Sequence, residues 1–330
     1  MVDTVKLRIV LACALVSAAI GAAYAYAAHH ALLLGITMGG ALGSILSAVE
    51  ILLFKGEAAA WLRRSPFLVF LGVRIAVYVV LIVGIEMSIV GAFYGPAGIA
   101  GIGVADVAFA LLVSFVFNFV FGIADLLGPG VLLAFALGRY HRPRPEERAL
   151  LFIDLCGSTA KAERLGETRF LEFLDAFLAD VSRDIVENGG EIHKYVGDEI
   201  IATWRLRAGQ NDAGIVRAYL AARDRLAARR EAYKREFGEG ADFRAALHVG
   251  VVVLGEVGSF KKEIALIGDA MNTAARILDA CRALNRPALA SSALVKRLGV
   301  LPDSVRGYAI APLALRGKAE PLELVALEPA

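Results

Sequence analysis

Two aspartates in this chain stand in short motifs suited to holding divalent cations. Asp154 lies in Phe152-Ile153-Asp154-Leu155-Cys156-Gly157-Ser158-Thr159, and Asp198 in Lys194-Tyr195-Val196-Gly197-Asp198-Glu199. Each follows or interrupts a run that reads as a strand, where glycine lets the backbone turn sharply. Singly, Asp154 reads as a strand-end residue and Asp198 as a hairpin residue. Jointly, carboxylates at adjacent strand ends can hold two divalent cations, the requirement for in-line displacement at phosphorus. The amides of Gly157, Ser158 and Thr159 open a helix and form a natural cradle for phosphate oxygens. A third motif, Ile267-Gly268-Asp269-Ala270-Met271-Asn272 running on to Arg276, puts Asn272 and Arg276 on one helix face.

The elements that must position these residues follow from periodicity. Leu150–Leu155 reads as a short buried strand, and Ser158 as the cap of one long helix with an apolar stripe at Phe170, Leu174, Phe177, Val181 and Ile185. Asn188-Gly189-Gly190 ends that helix. Glu191–Val196 and Glu199–Trp204 form a hairpin through Gly197-Asp198, which thrusts Asp198 out beside the end of the first strand. A helix over Asp212–Phe237, strands Phe243–Val249 and Val251–Val257, and a helix over Asp269–Leu284 follow, then mixed short elements. A β-α-β-β-α-β order predicts a ferredoxin-like α+β sheet backed by helices. Arg223, Arg225, Arg229, Arg230, Lys234 and Arg235 are interleaved with Asp224, Glu231 and Glu236, which reads as a solvated helix face.

At 58% apolar residues and a mean hydropathy of +0.62, the chain is too apolar for an ordinary soluble protein. Charges are sparse before about residue 138 and dense afterwards, so a membrane half precedes a soluble half. The formal net charge of +2 gives no argument for nucleic acid as a partner. Cys13, Cys156 and Cys281 have neither metal-ligand spacing nor a plausible pairing, which fits a reducing compartment for the soluble part. Four stretches are long enough to cross a bilayer as an all-α bundle: Leu7–Ala28, Leu32–Phe54, Phe67–Met87 and Val104–Ala124. Lys6 and Arg8 precede the first, Lys55, Arg63 and Arg64 follow the second, and Arg139, Arg142 and Arg144 follow the fourth. The connections at His29-His30 and across Gly91–Gly103 carry no Lys or Arg, so both ends of the bundle are expected to face the cytoplasm. The first stretch also resembles a signal peptide ending at Ala25-Tyr26-Ala27, but the spans after it favour a retained helix. Arg74, Glu86, Asp106 and Asp125 fall at membrane depth, either as a ligand or ion site or as inter-helix pairs. The expected organisation is a membrane domain over 1–138, a proline-containing linker over 139–148 and a catalytic domain over 149–330.

On these motifs, over Ala149–Leu327, the chain closely resembles the class III nucleotidyl cyclases, with a bacterial membrane-anchored adenylate cyclase as the nearest picture. The resemblance implies conversion of ATP to 3′,5′-cyclic AMP and pyrophosphate by attack of the ribose 3′-hydroxyl on the α-phosphorus. It implies two Mg²⁺ or Mn²⁺ ions held by Asp154 and Asp198, with the Leu155 carbonyl as a further ligand. Asn272 would bind the ribose and Arg276 would stabilise the pentavalent transition state. Arg244 matches a phosphate-contacting arginine, and Arg316 or Lys318 the late basic residue that reaches the triphosphate. Lys194 falls where adenylate cyclases place a lysine that recognises adenine, but Ala265 occupies the position usually held by aspartate or threonine.

In this family the metal aspartates come from one protomer and the lysine, asparagine and arginine from the other. A single catalytic domain carrying both sets therefore implies a symmetric homodimer. The resemblance further implies a multi-pass protein of the cytoplasmic (inner) membrane, its catalytic domain in the cytoplasm and its activity set by the membrane domain. Two alternatives stay open: a guanylate cyclase, and a catalytically silent membrane receptor that only binds nucleotide.

Overall fold

The computed structural model describes residues 4–100 apart from 55, 57, 58 and 64, scattered positions between 103 and 119, and residues 143–330 apart from 207–212, 261 and 314–320. The chain divides into two compact units, Met1–Ile123 and Ala124–Ala330.

In the first unit, α1 (Thr4–Ala27) and α2 (Leu32–Val49) form a hairpin, and α2 ends in a π-helical turn, Glu50–Phe54. A short α3 (Ala60–Arg63) precedes α4 (Phe67–Ala100). Among the described residues, three helical stretches are long and apolar enough to cross a membrane: Ile9–Ala27, Leu32–Phe54 and Val69–Ile99. The expected fourth span, with Asp106 and Asp125, lies largely outside the described residues.

The third helix outruns its expected end at Met87. Helix continues through most of the anticipated Gly91–Gly103 connection because only Gly95 departs from helical geometry, with φ at 65°. Pro96 follows it, at a position where a helix can restart without losing a hydrogen bond.

α1 and α2 meet along a row of small residues. A Cβ on Gly39 would run into the Ser17 carbonyl, and one on Gly43 would lie 2.5 Å from Ser17 Oγ. Backbones this close have no room for side chains, which is how apolar helices associate where water cannot drive them together. Gly39→Leu is expected to separate the hairpin, read as faster proteolysis of the detergent-solubilised chain between α1 and α2. A digestion pattern identical to the wild type would contradict this packing.

Arg74 pairs with Glu50 at 2.8 Å, and Tyr78 donates to the same carboxylate at 2.5 Å. Of the two roles open for Arg74, the structure gives it the inter-helix pair.

In the second unit, β1 (Arg144–Leu155) is followed by α5 (Ser158–Leu165), α6 (Glu167–Glu187), β2 (Glu191–Val196), β3 (Glu199–Arg205), α7 (Gly214–Phe237) and β4 (Phe243–Val257). Then come β5 (Glu263–Ile267), α8 (Asp269–Ala283), β6 (Ala288–Ser291), α9 (Ser292–Leu298), β7 (Val305–Leu313) and β8 (Leu322–Pro329). The sheet order is β2-β3-β1-β4-β6-β8-β7, with β5 paired to β4. The first four strands, antiparallel in the order β2-β3-β1-β4, are the expected ferredoxin-like arrangement.

Alternation along β1 feeds two cores. Leu151, Ile153 and Leu155 pack with Phe173, Phe177, Val181 and Ile185 of α6 and with α7. Leu150 and Phe152 pack with Ala274, Ile277 and Cys281 of α8. With a period of two, Asp154 lies on the α8 side of the sheet with Phe152.

Several local expectations are corrected. β1 starts at Arg144 rather than Leu150, so part of the anticipated linker, Pro145 included, is strand. Pro145 is tolerated there because β3 joins β1 only from Arg148 onward, leaving that flank unpaired. The long helix is two helices broken at Gly166, whose φ of 74° admits no ordinary side chain. Ser158 is not the cap: Gly157 holds that position at φ 69° without a side-chain hydrogen bond. The two strands expected at 243–257 are one, β4.

The basic stretch on α7 is not simply solvated. Arg225 grips Asp184 with two bonds of 2.7 Å, and Arg229 and Tyr233 bind Asp180, joining α7 to two buried carboxylates on α6. Such pairs cannot be read from one helix alone.

Candidate active site

Strand register brings the acidic residues together. Asp154 lies opposite Glu199 on β3 and Arg244 on β4, so β1 delivers its carboxylate between a hairpin and a cationic strand end. Gly197, at φ 63°, makes the tight turn between Val196 and Glu199 and sets Asp198 at its tip. Burial, then Asp198, raise the Asp154 carboxyl above its usual range, while Arg282 and Arg244 pull it back. Glu199 rises to about 7, chiefly through burial and then through Asp154, Asp198 and Asp279. Asp154 and Glu199 are register partners and Asp198 directly precedes Glu199, so these carboxylates crowd one strand end.

Arg282 of α8 reaches that space and bonds Asp154 Oδ2 at 2.9 Å. It brings a positive charge to the crowded carboxylates. Neither Arg282 nor Glu199 figured among the residues expected from sequence. Glu199 adjoins Asp198 in the sequence, but its position opposite Asp154 is set by the pairing of β1 with β3. Arg282 carried no such signal.

The raised Glu199 has a consequence for stability. A carboxyl that holds its proton more tightly when folded makes the native state the better proton binder between 4.5 and about 7. Metal-free protein therefore loses stability as pH rises through that window. Glu199→Gln is expected to flatten this slope in thermal melts taken in a chelator. An unchanged slope would remove Glu199 as its source.

The donor set fits a hard divalent ion. Asp154 and Asp198 are carboxylate oxygens, and Leu155 offers a backbone carbonyl at the same strand end. No cluster of three His, Cys, Asp or Glu side chains in metal-holding geometry occurs among the described residues. Mg²⁺-type sites in phosphoryl enzymes ordinarily need none, since one or two carboxylates are completed by water and substrate phosphates.

The turn Cys156–Thr159 leads into α5, with Cys156 N bonded to the Asp242 carbonyl at 2.8 Å. Asn272 and Arg276 lie on α8 with Arg282, Asn272 exposed and Arg276 half-buried. Their side chains make no hydrogen bond or ion pair with a described residue. Lys194 follows a bulge at His193 in the β2–β3 ladder, a device that re-aims a side chain. Its ammonium lies 3.6 Å from Glu263 Oε1. Arg316 and Lys318 lie outside the described residues.

A ferredoxin-like sheet carrying paired aspartates at a strand end and a neighbouring hairpin is the arrangement that the class III cyclase resemblance implies for the catalytic domain. The chain is 34% identical over 274 residues to adenylate cyclase 2 of Rhizobium meliloti (strain 1021), covering 81% of this chain and 75% of that protein. It is 33% identical to an adenylate cyclase of Anabaena cylindrica over 132 residues, 39% of this chain and 26% of the relative. Among solved structures, the adenylyl cyclase CyaB from P. aeruginosa aligns over 57% of this chain and 96% of its own, with a TM-score of 0.51 and 20% identity. A bacterial light-regulated adenylyl cyclase aligns over 68% of this chain and 65% of its own, with a TM-score of 0.57 and 20% identity. No family model matches the chain. The chain belongs to the class III adenylate cyclase family.

Proposed function

We propose that the chain converts ATP to 3′,5′-cyclic AMP and pyrophosphate as a membrane-anchored homodimer. The observation that carries this reading is the register-locked meeting of Asp154 and Asp198 at the ends of β1 and the β2–β3 hairpin. Bound there, two Mg²⁺ or Mn²⁺ ions would neutralise the triphosphate and lower the pKa of the 3′-hydroxyl. Asp154, Asp198 and the Leu155 carbonyl hold them. The α5 N-terminus at Gly157, Ser158 and Thr159 cradles phosphate oxygens, and Arg244, across from Asp154, adds a positive charge. Arg316 and Lys318 complete the cationic lining at the triphosphate. On the partner's α8, the same helix places the Asn272 amide at the ribose and the Arg276 guanidinium where charge develops on the α-phosphate.

Dimerisation is supported by an exposed apolar strip. Val251, Val253, Val257, Phe260 and Ile267 of the β4–β5 region, with Tyr195 and Val196 of β2, are all open to solvent in the single chain. Patches of this kind mark association surfaces. Arg144–Glu147 pairs with Val251–Leu254 in this strip, so the segment arriving from the membrane side is hydrogen-bonded to the dimer face. That gives the membrane domain a route to set dimer geometry, from a multi-pass position in the inner membrane.

At the base end, Glu263 takes over from the missing partner at Ala265. Two residues apart on β5, they share a face, and Glu263 is the one that meets Lys194. Glu263→Ala is expected to reduce the ATP-over-GTP preference in kcat/KM by about tenfold, the effect of losing one charge-assisted hydrogen bond. An unchanged preference would assign base selection elsewhere.

Turnover of ATP and of GTP by the purified full chain, with Mg²⁺ or Mn²⁺ and products resolved by chromatography, tests the reading. Cyclic AMP is expected. Cyclic GMP would overturn the substrate assignment, and no cyclic product from a verified dimer would leave a nucleotide-binding receptor.

A further inference from the structure

A cavity of about 290 Å³ opens where the end of β1 and the start of β4 meet α7 and the turn before β6. Three arginines line it, Arg223, Arg244 and Arg286, against one acidic residue, Asp242. Some of this charge is already engaged. Arg286 bonds Glu328 at 2.6 Å, Asp242 meets Arg230 at 3.3 Å, and Arg223 uses Nε and Nη2 on Asp224 at 3.0 and 2.7 Å. Arg223 Nη1 and the Tyr219 hydroxyl are different. Both atoms are buried and neither makes a well-aligned hydrogen bond to a described residue; the guanidinium is near enough to act on the phenol, but as a donor it leaves the phenol's own proton without an acceptor. Tyr219 is 1% exposed. Burial pushes its phenol up, so the hydroxyl stays protonated and able to donate. Buried donors are almost always satisfied, and two on residues lining one cationic cavity point to an anionic ligand.

We infer that this cavity is an anion subsite for a diphosphate, with Arg223 and Tyr219 as its own donors and Arg244 as the residue it shares with the metal end. A guanidinium from α7 and another from β4 suit two phosphate groups better than one, and the volume is more than a single phosphate needs. Unlike the dimeric active site, the subsite lies wholly within one chain. The inference rests on the proposed cyclase reaction only for one of two sources of the ligand: pyrophosphate leaving a bound nucleotide, or free pyrophosphate arriving while nucleotide is bound.

The test is calorimetric binding of inorganic pyrophosphate to the full chain in a chelator, which silences the metal site and requires no turnover. Binding is expected to weaken about tenfold in Arg223→Gln and about threefold in Tyr219→Phe, and to persist in Asp198→Ala. Steady-state inhibition of ATP turnover then separates the sources. A noncompetitive component lost in Arg223→Gln identifies free pyrophosphate, whereas purely competitive inhibition weakened by that variant identifies the leaving group. No binding in the chelator, equal affinity in all variants, loss of binding in Asp198→Ala, or tighter binding of orthophosphate than of pyrophosphate would each overturn the assignment. Because the binding arm is read without catalysis, its failure is distinct from a failure of the cyclase reading.

Discussion

Alanine at Asp198 is expected to lower cyclic AMP formation by at least about a thousandfold, the equivalent of roughly 4 kcal/mol of transition-state stabilisation. The side chain projects from the tip of a tight turn made by Gly197, so its removal leaves the hairpin register untouched. It also relieves the repulsion that raises Asp154 and Glu199. The variant should therefore melt no lower than the wild type while losing turnover. The measurement is kcat at saturating ATP and metal alongside a thermal melt. Turnover above a tenth of the wild-type value in a well-folded protein would remove Asp198 from the metal site.

Arg276→Ala is expected to lower kcat by about a hundred- to a thousandfold with a smaller change in KM, because the guanidinium is needed most where charge develops on the α-phosphate. In the structure this side chain makes no ion pair with a described residue, so little stability depends on it. The two variants together test the shared site. Asp198→Ala and Arg276→Ala are each inactive alone, but in a heterodimer one of the two sites draws an intact aspartate from one chain and an intact arginine from the other. Random mixing in equal amounts makes half the dimers heterodimers with one working site each, or about a quarter of wild-type activity. Coexpression followed by kcat measurement reads this directly. A mixture no more active than its components would mean that each chain builds its site alone, or not as proposed.

The elements that carry the proposed site residues were largely legible from spacing. Asp154, Asp198, Asn272 and Arg276 sit in short local motifs, and apart from the earlier start of β1 the strands and helix that carry them begin and end within a few residues of the expected positions. Local signals suffice there because a two-residue glycine turn or a four-residue helical step fixes geometry without help from the rest of the fold. The apolar helices were legible for a similar reason, since a run of twenty apolar residues has few other uses.

Tertiary structure decided what stands around those residues. Glu199 faces Asp154 only because β1 and β3 pair in one register, and a shift of one residue would send it to the other side of the sheet. Arg282 reaches Asp154 from 128 residues away, and Glu263 reaches Lys194 from a strand that does not pair with the one carrying Lys194. Arg225 and Arg229, apparently surface charges, turned out to grip buried aspartates of the neighbouring helix. Pro145, expected in the linker, lies in the central strand. Period and turn chemistry act within a few residues of the chain, so the sequence by itself determined the elements and the motifs at their ends. Charge partners, cavities and unpaired flanks arise from elements distant in the chain, and only packing sets the distances on which electrostatics depends.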